Sequence, residues 1–578
     1  MTVHTTPRCR AAVASVSATA LMLALSPAGS AHAQAGASAA APTTPAPAKT
    51  AKPQALLVGS YNGIKGKYKT IQEAVSAAHE GDWVLIGPGD YKEASSTKPS
   101  GAYGDDVAGA DVLITTPNLH VRGMDRNSVM IDGTKPGSPE CSSAAADQIF
   151  GPAEGERWLG NNGVVVYKAN GVWLQNFSTC NFLGSNHGGD SVWFDGGGAS
   201  GKQAIGSWWG EYLSSTSTYW GGKTKPSDEY GIYASNTTGP GVFNHTYAGN
   251  MSDSGYYLGA CPDCNAVIDN SRSENNDLGY SGSNSGGHLI IENSIFRNNE
   301  EGVATQSQNN DDAPSPQEGL CPKGANNPTV PAGAQRKNIC WAMIDNQVVN
   351  NNNGDTPTSG GAPGLVGTGM SIAGGRNDLV IGNTFANNDA WGILLVPYPG
   401  LNETPPPQVL SAFPEDECRG GIKTTEGETT ACLYEPFENE IAGNTFAHNG
   451  AYKNASNGDI GEVATAMPTQ KANCWHANVE RGGGEPTSEP KEIQKTHSNC
   501  ELPDTGGEAT SSPLGVQAVC DSQLLAECPA GPAANYPRGE AELAPMPEEP
   551  TMANPCEGVP NTLNGDKWCH AGKPVVRK

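Results

Sequence analysis

Basic residues are scarce in this chain, with 35 Lys and Arg against 60 Asp and Glu and a net charge of −25. Nucleic acid is excluded as a partner, because phosphate binding needs a basic surface. The same shortage argues against attraction to anionic membranes, and an anionic polymer is repelled unless a cation bridges it. After residue 25 no apolar run is long enough for a membrane-spanning helix. A second Cys-x-x-Cys is also missing. The single one, Cys261 to Cys264, reads as a redox motif or as half of a zinc site, and fits a local disulfide better than either. The phrase from Leu502 to Gly506 matches a cell-wall sorting signal, but a polar stretch follows in place of the required apolar segment.

What is present begins with an export signal over 1–33. Arg8 and Arg10 precede an apolar run from Ala11 to Leu25, and Ala31-His32-Ala33 supplies a small-x-small cleavage site. Residues 34–54 are an Ala/Pro/Thr-rich linker. Of 15 cysteines, Cys9 lies in the signal, and an even number remains for disulfides in an exported chain. Cys321 with Cys340, and Cys418 with Cys432, bracket loops in a way that suits loop-closing bridges.

The centre of the chain repeats. An acidic residue, one spacer and a Gly open a short strand four times, with glycines at Gly231, Gly255, Gly279 and Gly302, spaced 24, 24 and 23. A second strand in each turn carries Asn244, Asn270 and Asn293, continued by Asn346, Asn383 and Asn444 once insertions are removed. A period in the low twenties with Asn/Gly turns predicts a solenoid, whose stacked turns share one core. These asparagines are expected to stack at one corner and hydrogen-bond along the axis. A capping helix is predicted over 69–80 from Ile71, Ala74, Val75 and Ala78. Three loops, at 198–228, 309–337 and 398–435, each follow a Gly-led strand and should wall one flank. The coil is expected over 55–454, and an irregular Cys-containing tail, stapled by disulfides, over 455–578.

These repeat phrases, and the opening from Tyr68 to Glu93, resemble secreted right-handed parallel β-helix proteins of the pectate-lyase-like superfamily. The resemblance implies an all-β right-handed parallel β-helix acting in a cleft on its first sheet. None of the superfamily's reaction phrases is complete here. Asp311-Asp312 resembles the polygalacturonase acid pair, but no Gly-His-Gly or Arg-x-Lys follows. Tyr230-Gly231-Ile232-Tyr233 begins like a mannuronan epimerase phrase, but Ala234-Ser235 stand where Asp-Pro is required. Arg272, Arg297 and Arg376 are candidates for a lyase's Arg base.

The residues that could carry chemistry fall into three sets. Glu229, Asp253, Asp277 and Glu300 sit two positions before the repeat glycines. In register they form a row of carboxylates about 5 Å apart, which calcium would join; solvated turn acids are the alternative. Strand alternation turns Tyr233 and Tyr257 outward, with Gln306 in the next column, as a sugar platform near Trp208, Trp209 and Trp220; stacking for stability alone is the alternative. Catalytic candidates are Asp311 and Asp312 with Glu300 for a hydrolase, and Arg376 or His245 as the base of a lyase. His187 with Asp190, and His288, are weaker candidates beside a structural reading. The expectation is a secreted, monomeric protein whose partner is an extracellular polysaccharide. It is a lyase or hydrolase, or else a non-catalytic glycan-binding or structural β-helix.

Overall fold

The computed structural model describes residues 52–93, 109–151, 153–154, 157–158, 160–185, 188–197, 204–283, 285–306, 330–358, 364–400, 422–426, 429–522 and 536–576. The chain winds into a right-handed parallel β-helix. Among the described residues, eleven strands form a first sheet, from Gly109–Ile114 to Ser488–Glu489. A longer ladder bends at one corner into a second and a third face. One turn is Tyr230–Ser235, Gly241–Asn244 and Tyr247–Gly249; the next is Ser254–Gly259, Cys261–Asp269 and Arg272–Glu274. Every pairing between turns is parallel, residue on equivalent residue.

Inward positions stack as apolar columns. Ile232, Tyr256, Tyr280, Val303, Met370, Ile393 and Ile460 form one such column through seven turns, all buried in a single core. The capping helix is Ile71–Ala77; Thr70 and Glu73 close a capping box, and Ile71, Ala74 and Val75 are buried over the first turn.

The corners are built by side-chain amides, in the expected register at Asn346, Asn383 and Asn444. Asn346, Asn383, Asn444 and Asn478 stack, and each of the last three receives the backbone N–H and side-chain amide of the Asn one turn before. Asn244, Asn270 and Asn293 are not rungs of this ladder. Thr246, Ser271 and Ser294 hold those rungs by their hydroxyls. Asn270 and Asn293 sit one residue earlier, in the left-handed backbone region that Asn tolerates. A second ladder, Asn276, Asn299, Asn351, Asn388 and Asn449, closes the corner before the first sheet. It explains the repeat glycines: a Cβ at Gly279 would lie 2.7 Å from the Asn299 amide nitrogen, and one at Gly369 2.7 Å from that of Asn388.

Two expected boundaries move. The coil runs past residue 454, with Gly458–Glu462, Cys474–His476 and Val479–Glu480 adding another turn, Asn478 extending the first ladder and Asn473 accepting from the Asn439 side-chain amide. The region from 198 to 228 is not one loop, because Trp208–Thr216 is a strand paired along Val172–Cys180. The third insertion carries a small antiparallel sheet of Tyr398–Gly400, Ile422–Glu426 and Thr429–Tyr434.

Disulfides join Cys141–Cys180, Cys261–Cys264, Cys474–Cys500 and Cys556–Cys569. The expected local bridge at Cys261 is therefore present. Cys340 is disulfide-bonded, while Cys321 and Cys418 lie outside the described residues.

Beyond residue 536 the chain turns back and runs along the outside of the coil toward its first turn. Asn250, Asn127 and Asn176 each pair an amide side chain with the backbone N–H and C=O of one tail residue: Ala544, Glu549 and Ala553 respectively. Arg272 and Arg126 meet Glu549, and Arg122 donates to the Glu557 carbonyl. Trp568 then donates to the Ile64 carbonyl, packed with Trp83 and Leu57 at the start of the coil.

Candidate active site on the first sheet

Strand alternation and the repeat Gly together place two columns on the outer face of the first sheet. Tyr233, Tyr257, Ser281, Ala304, Ser371 and Leu394 are one register column, as expected. Trp193 precedes Tyr233 in it. Tyr233 does not stack flat on Tyr257; their rings meet edge-on at 4.9 Å. The flat partner is Trp193, 5.0 Å from Tyr233 with planes 7° apart, and the Trp193 indole N–H donates to Ser235. Tyr230 completes the cluster, 4.8 Å from Tyr233. Tyr257 and Tyr230 lie at its edge, 8 and 9 % exposed, while Tyr233 is buried. Gln306 pairs with Ser283 in the adjoining column and is half-buried.

The acidic row is in register. The residue after each acid donates its N–H to the acid one turn earlier: Ser254 to Glu229, Leu278 to Asp253, and Glu301 to Asp277. All four acids, Glu229, Asp253, Asp277 and Glu300, are buried, so they are not solvated turn residues. Asp253 accepts the Tyr230 hydroxyl at 3.0 Å and the Ser254 hydroxyl at 2.6 Å. Burial raises its pKa to about 6 against these two bonds. Asp277 accepts the Gly364 N–H at 3.0 Å and is raised well above the carboxylate range, by burial first and by Glu300 next. Glu301 is raised to about 7 and Asp195, beside Ser235, to about 7, both chiefly by burial. Asp190 extends the set on the neighbouring strand. It is 1 % exposed, and neither carboxyl oxygen has a hydrogen-bond partner. Burial, then Glu229, raise it strongly.

The far end of the row is neutralised from within. Arg538 donates to Glu300 at 2.7 Å and reaches Asp521, while Thr356 and Thr358 donate to the other Glu300 oxygen. Glu300 is therefore engaged by a guanidinium at the place where calcium was expected. Among the described residues, no three of these carboxylates bring oxygens within 4.8 Å of one another.

Other expected residues fall elsewhere. Asp311, Asp312 and His187 lie outside the described residues. Arg376 is buried against Phe437 at 4.3 Å and donates to the Glu435 carbonyl, which makes it a packing residue for the turn after the strand. His245 lies between the second and third faces, with positive φ, stacked on Tyr212 at 4.8 Å and hydrogen-bonded to Asn244. It does not face the first sheet. Trp208 is inside the core against Phe243. Trp209 stacks on Trp173 at 4.3 Å outside the second face, in the column of His120 and Trp83. Trp220 is half-buried after that strand. Sequence reading missed Trp193, Asp195, Asp521 and Arg538, and took Asp190 only as a His partner. The signal for the first two was available: Ser191-Val192-Trp193 repeats the alternation of Gly231-Ile232-Tyr233 without its Gly. Arg538 has no local signal, since it lies 238 residues from Glu300.

No family model matches the chain, and no curated protein matches it. Solved structures match at low identity. The A-module of a mannuronan C-5 epimerase from Azotobacter vinelandii is 13% identical with a TM-score of 0.33, over 72% of this chain and 88% of that one. A family 28 exopolygalacturonase from Yersinia enterocolitica is 12% identical with a TM-score of 0.35, over 60% and 74%. The tailspike of an Escherichia coli bacteriophage, solved with a pentasaccharide, is 12% identical with a TM-score of 0.37, over 74% and 59%. The fold stands on the chain's own strand ladder, and its chemistry on the residues above.

Proposed function

We propose that this is a secreted polysaccharide-active protein, a lyase or hydrolase working at the edge of the aromatic cluster on the first sheet. The observation that carries the reading is the contact of Tyr230 with Asp253, a carboxyl raised to about 6, beside Tyr257. Such an acid keeps its proton up to about pH 6 and can give it to a glycosidic oxygen there. Aromatic rings offer apolar faces to sugar C–H groups. Glu229 and Asp190, which is in register with Tyr230 on the neighbouring strand, are the carboxyls available as a second acid–base group. A calcium requirement would come from a bridge between an anionic substrate and one or two row carboxylates, not from a closed protein site.

The test is purified protein on a panel of acidic and neutral polysaccharides, with calcium or chelator, following ultraviolet absorbance of unsaturated ends together with reducing ends. Absorbance that disappears with chelator supports a calcium-dependent lyase, and reducing ends alone support a hydrolase. The second reading, a non-catalytic glycan-binding or structural β-helix, is favoured by the burial of Trp193 and Tyr233, whose faces stack on each other rather than being open to a sugar. Binding without either signal would select it.

A further inference from the structure

The last turn of the coil brings four metal-ligating side chains together away from the first sheet. Glu440 and Cys474 are register partners on neighbouring strands of the second face, and His476 lies two residues beyond Cys474. Cys500 reaches them from the loop after the coil and is joined to Cys474. One ligand atom from each of Glu440, Cys474, His476 and Cys500 lies within 4.8 Å of the others. Three of these groups stand on paired strands, which holds their directions. The Glu440 carboxylate is oriented by the backbone N–H groups of Gln335 at 2.6 Å and Arg336 at 2.7 Å, and His476 Nε2 contacts it at 2.8 Å. A ligand carboxylate fixed by outer hydrogen bonds is the usual support of a metal site. Glu440, Cys474 and Cys500 are buried, and His476 is half-buried.

We propose that the reduced chain binds one zinc ion here through Cys474, Cys500, His476 and Glu440, so that this corner is closed by a disulfide when oxidised and by zinc when reduced. A dithiol gives two electrons and two protons to the Cys474–Cys500 bond and becomes a disulfide itself. The two thiols then release their protons as the cation binds. Two thiolates, one imidazole and one carboxylate make a closed four-ligand set of the structural kind. Reduction without metal would leave two thiols packed around a buried carboxylate, and zinc compensates the charge that their ionisation brings. Once the bridge is reduced the loop at 498–503 is held to the coil by the cation, and before that by the sulfur bridge.

Cobalt(II) is the probe, added without oxygen to the full chain after reduction with a dithiol and its removal. The expected result is a tetrahedral visible spectrum with a thiolate-to-cobalt band, displaced by zinc. It should be absent from Cys474→Ala/Cys500→Ala, which controls for the other cysteine pairs. His476→Ala keeps the disulfide and the oxidised fold, and should bind cobalt about tenfold or more weakly once reduced. The same spectrum and affinity in the double Cys variant, or an unchanged affinity in His476→Ala, would overturn the proposal.

Discussion

Tyr230 donates its hydroxyl to Asp253 across one turn of the coil, and the two side chains belong to adjacent rungs of the same sheet. The bond joins the aromatic cluster to the carboxyl row. It favours the ionised form of an acid that burial pushes the other way.

Removing either partner has separate expected effects. Asp253→Asn should lower turnover by about 10²–10⁴-fold on whichever polysaccharide proves to be the substrate, with the fold unchanged by circular dichroism. Tyr230→Phe removes a donor to the carboxylate, so the Asp253 pKa rises further. The alkaline limb of the pH–rate profile should then move up. An unmoved limb would show that Asp253 is not the proton donor.

Arg538 faces Glu300 and Asp521 in a largely buried setting. Arg538→Gln leaves those carboxyls without a countercharge and should cost about 3–5 kcal/mol. Urea unfolding at pH 5 and pH 8 checks this. The loss should be smaller at pH 5, where the row carries more protons.

Stability itself should fall as pH rises. Glu462 is buried, accepts from Asn473 and Trp475, and is raised by burial to about 7; Glu301 is raised to about 7 and Asp253 to about 6. A carboxyl raised in the folded state binds more protons there than in the unfolded chain. Its contribution is complete below the unfolded value near 4.5 and is lost as pH climbs through about 7. For Glu462 alone the swing is on the order of 3 kcal/mol. Glu462→Gln should flatten that part of the stability curve, read as Tm from pH 4 to 9.

Within the corner ladder, Asn383→Ala strands the Asn346 N–H, bonded at 2.8 Å, inside the core and should cost about 3 kcal/mol. Asn383→Ser should cost less, because Ser294 already fills an equivalent rung with its hydroxyl. Equal losses in the two variants would deny the ladder its hydrogen-bonding role.

The period of the glycines and the alternation after them were enough to read the coil, the inward column and the outward Tyr233–Tyr257 column. Each reports a local steric rule repeated every turn. The asparagine ladder is legible at Asn346, Asn383 and Asn444, but Asn270 and Asn293 read one residue early because Ser271 and Ser294 fill those rungs, so identity of residue misled where position mattered. Trp208 was misplaced for a related reason: a strand interrupted by turns, without a repeat Gly, reads as a loop. The pairing of Glu300 with Arg538 was illegible, since nothing local connects a coil residue to the returning tail.

That returning tail changes how the molecule comes apart. A linear stack of turns can unravel from either end, each turn answering only to its neighbours. Here Arg538 grips the middle of the stack and Trp568 its beginning. The first turns cannot loosen without shedding the returning segment around Trp568. The coil is thereby converted from a zipper with two free ends into a buckled belt, and its assembly is completed only when the segment around Trp568 has been synthesised and has docked.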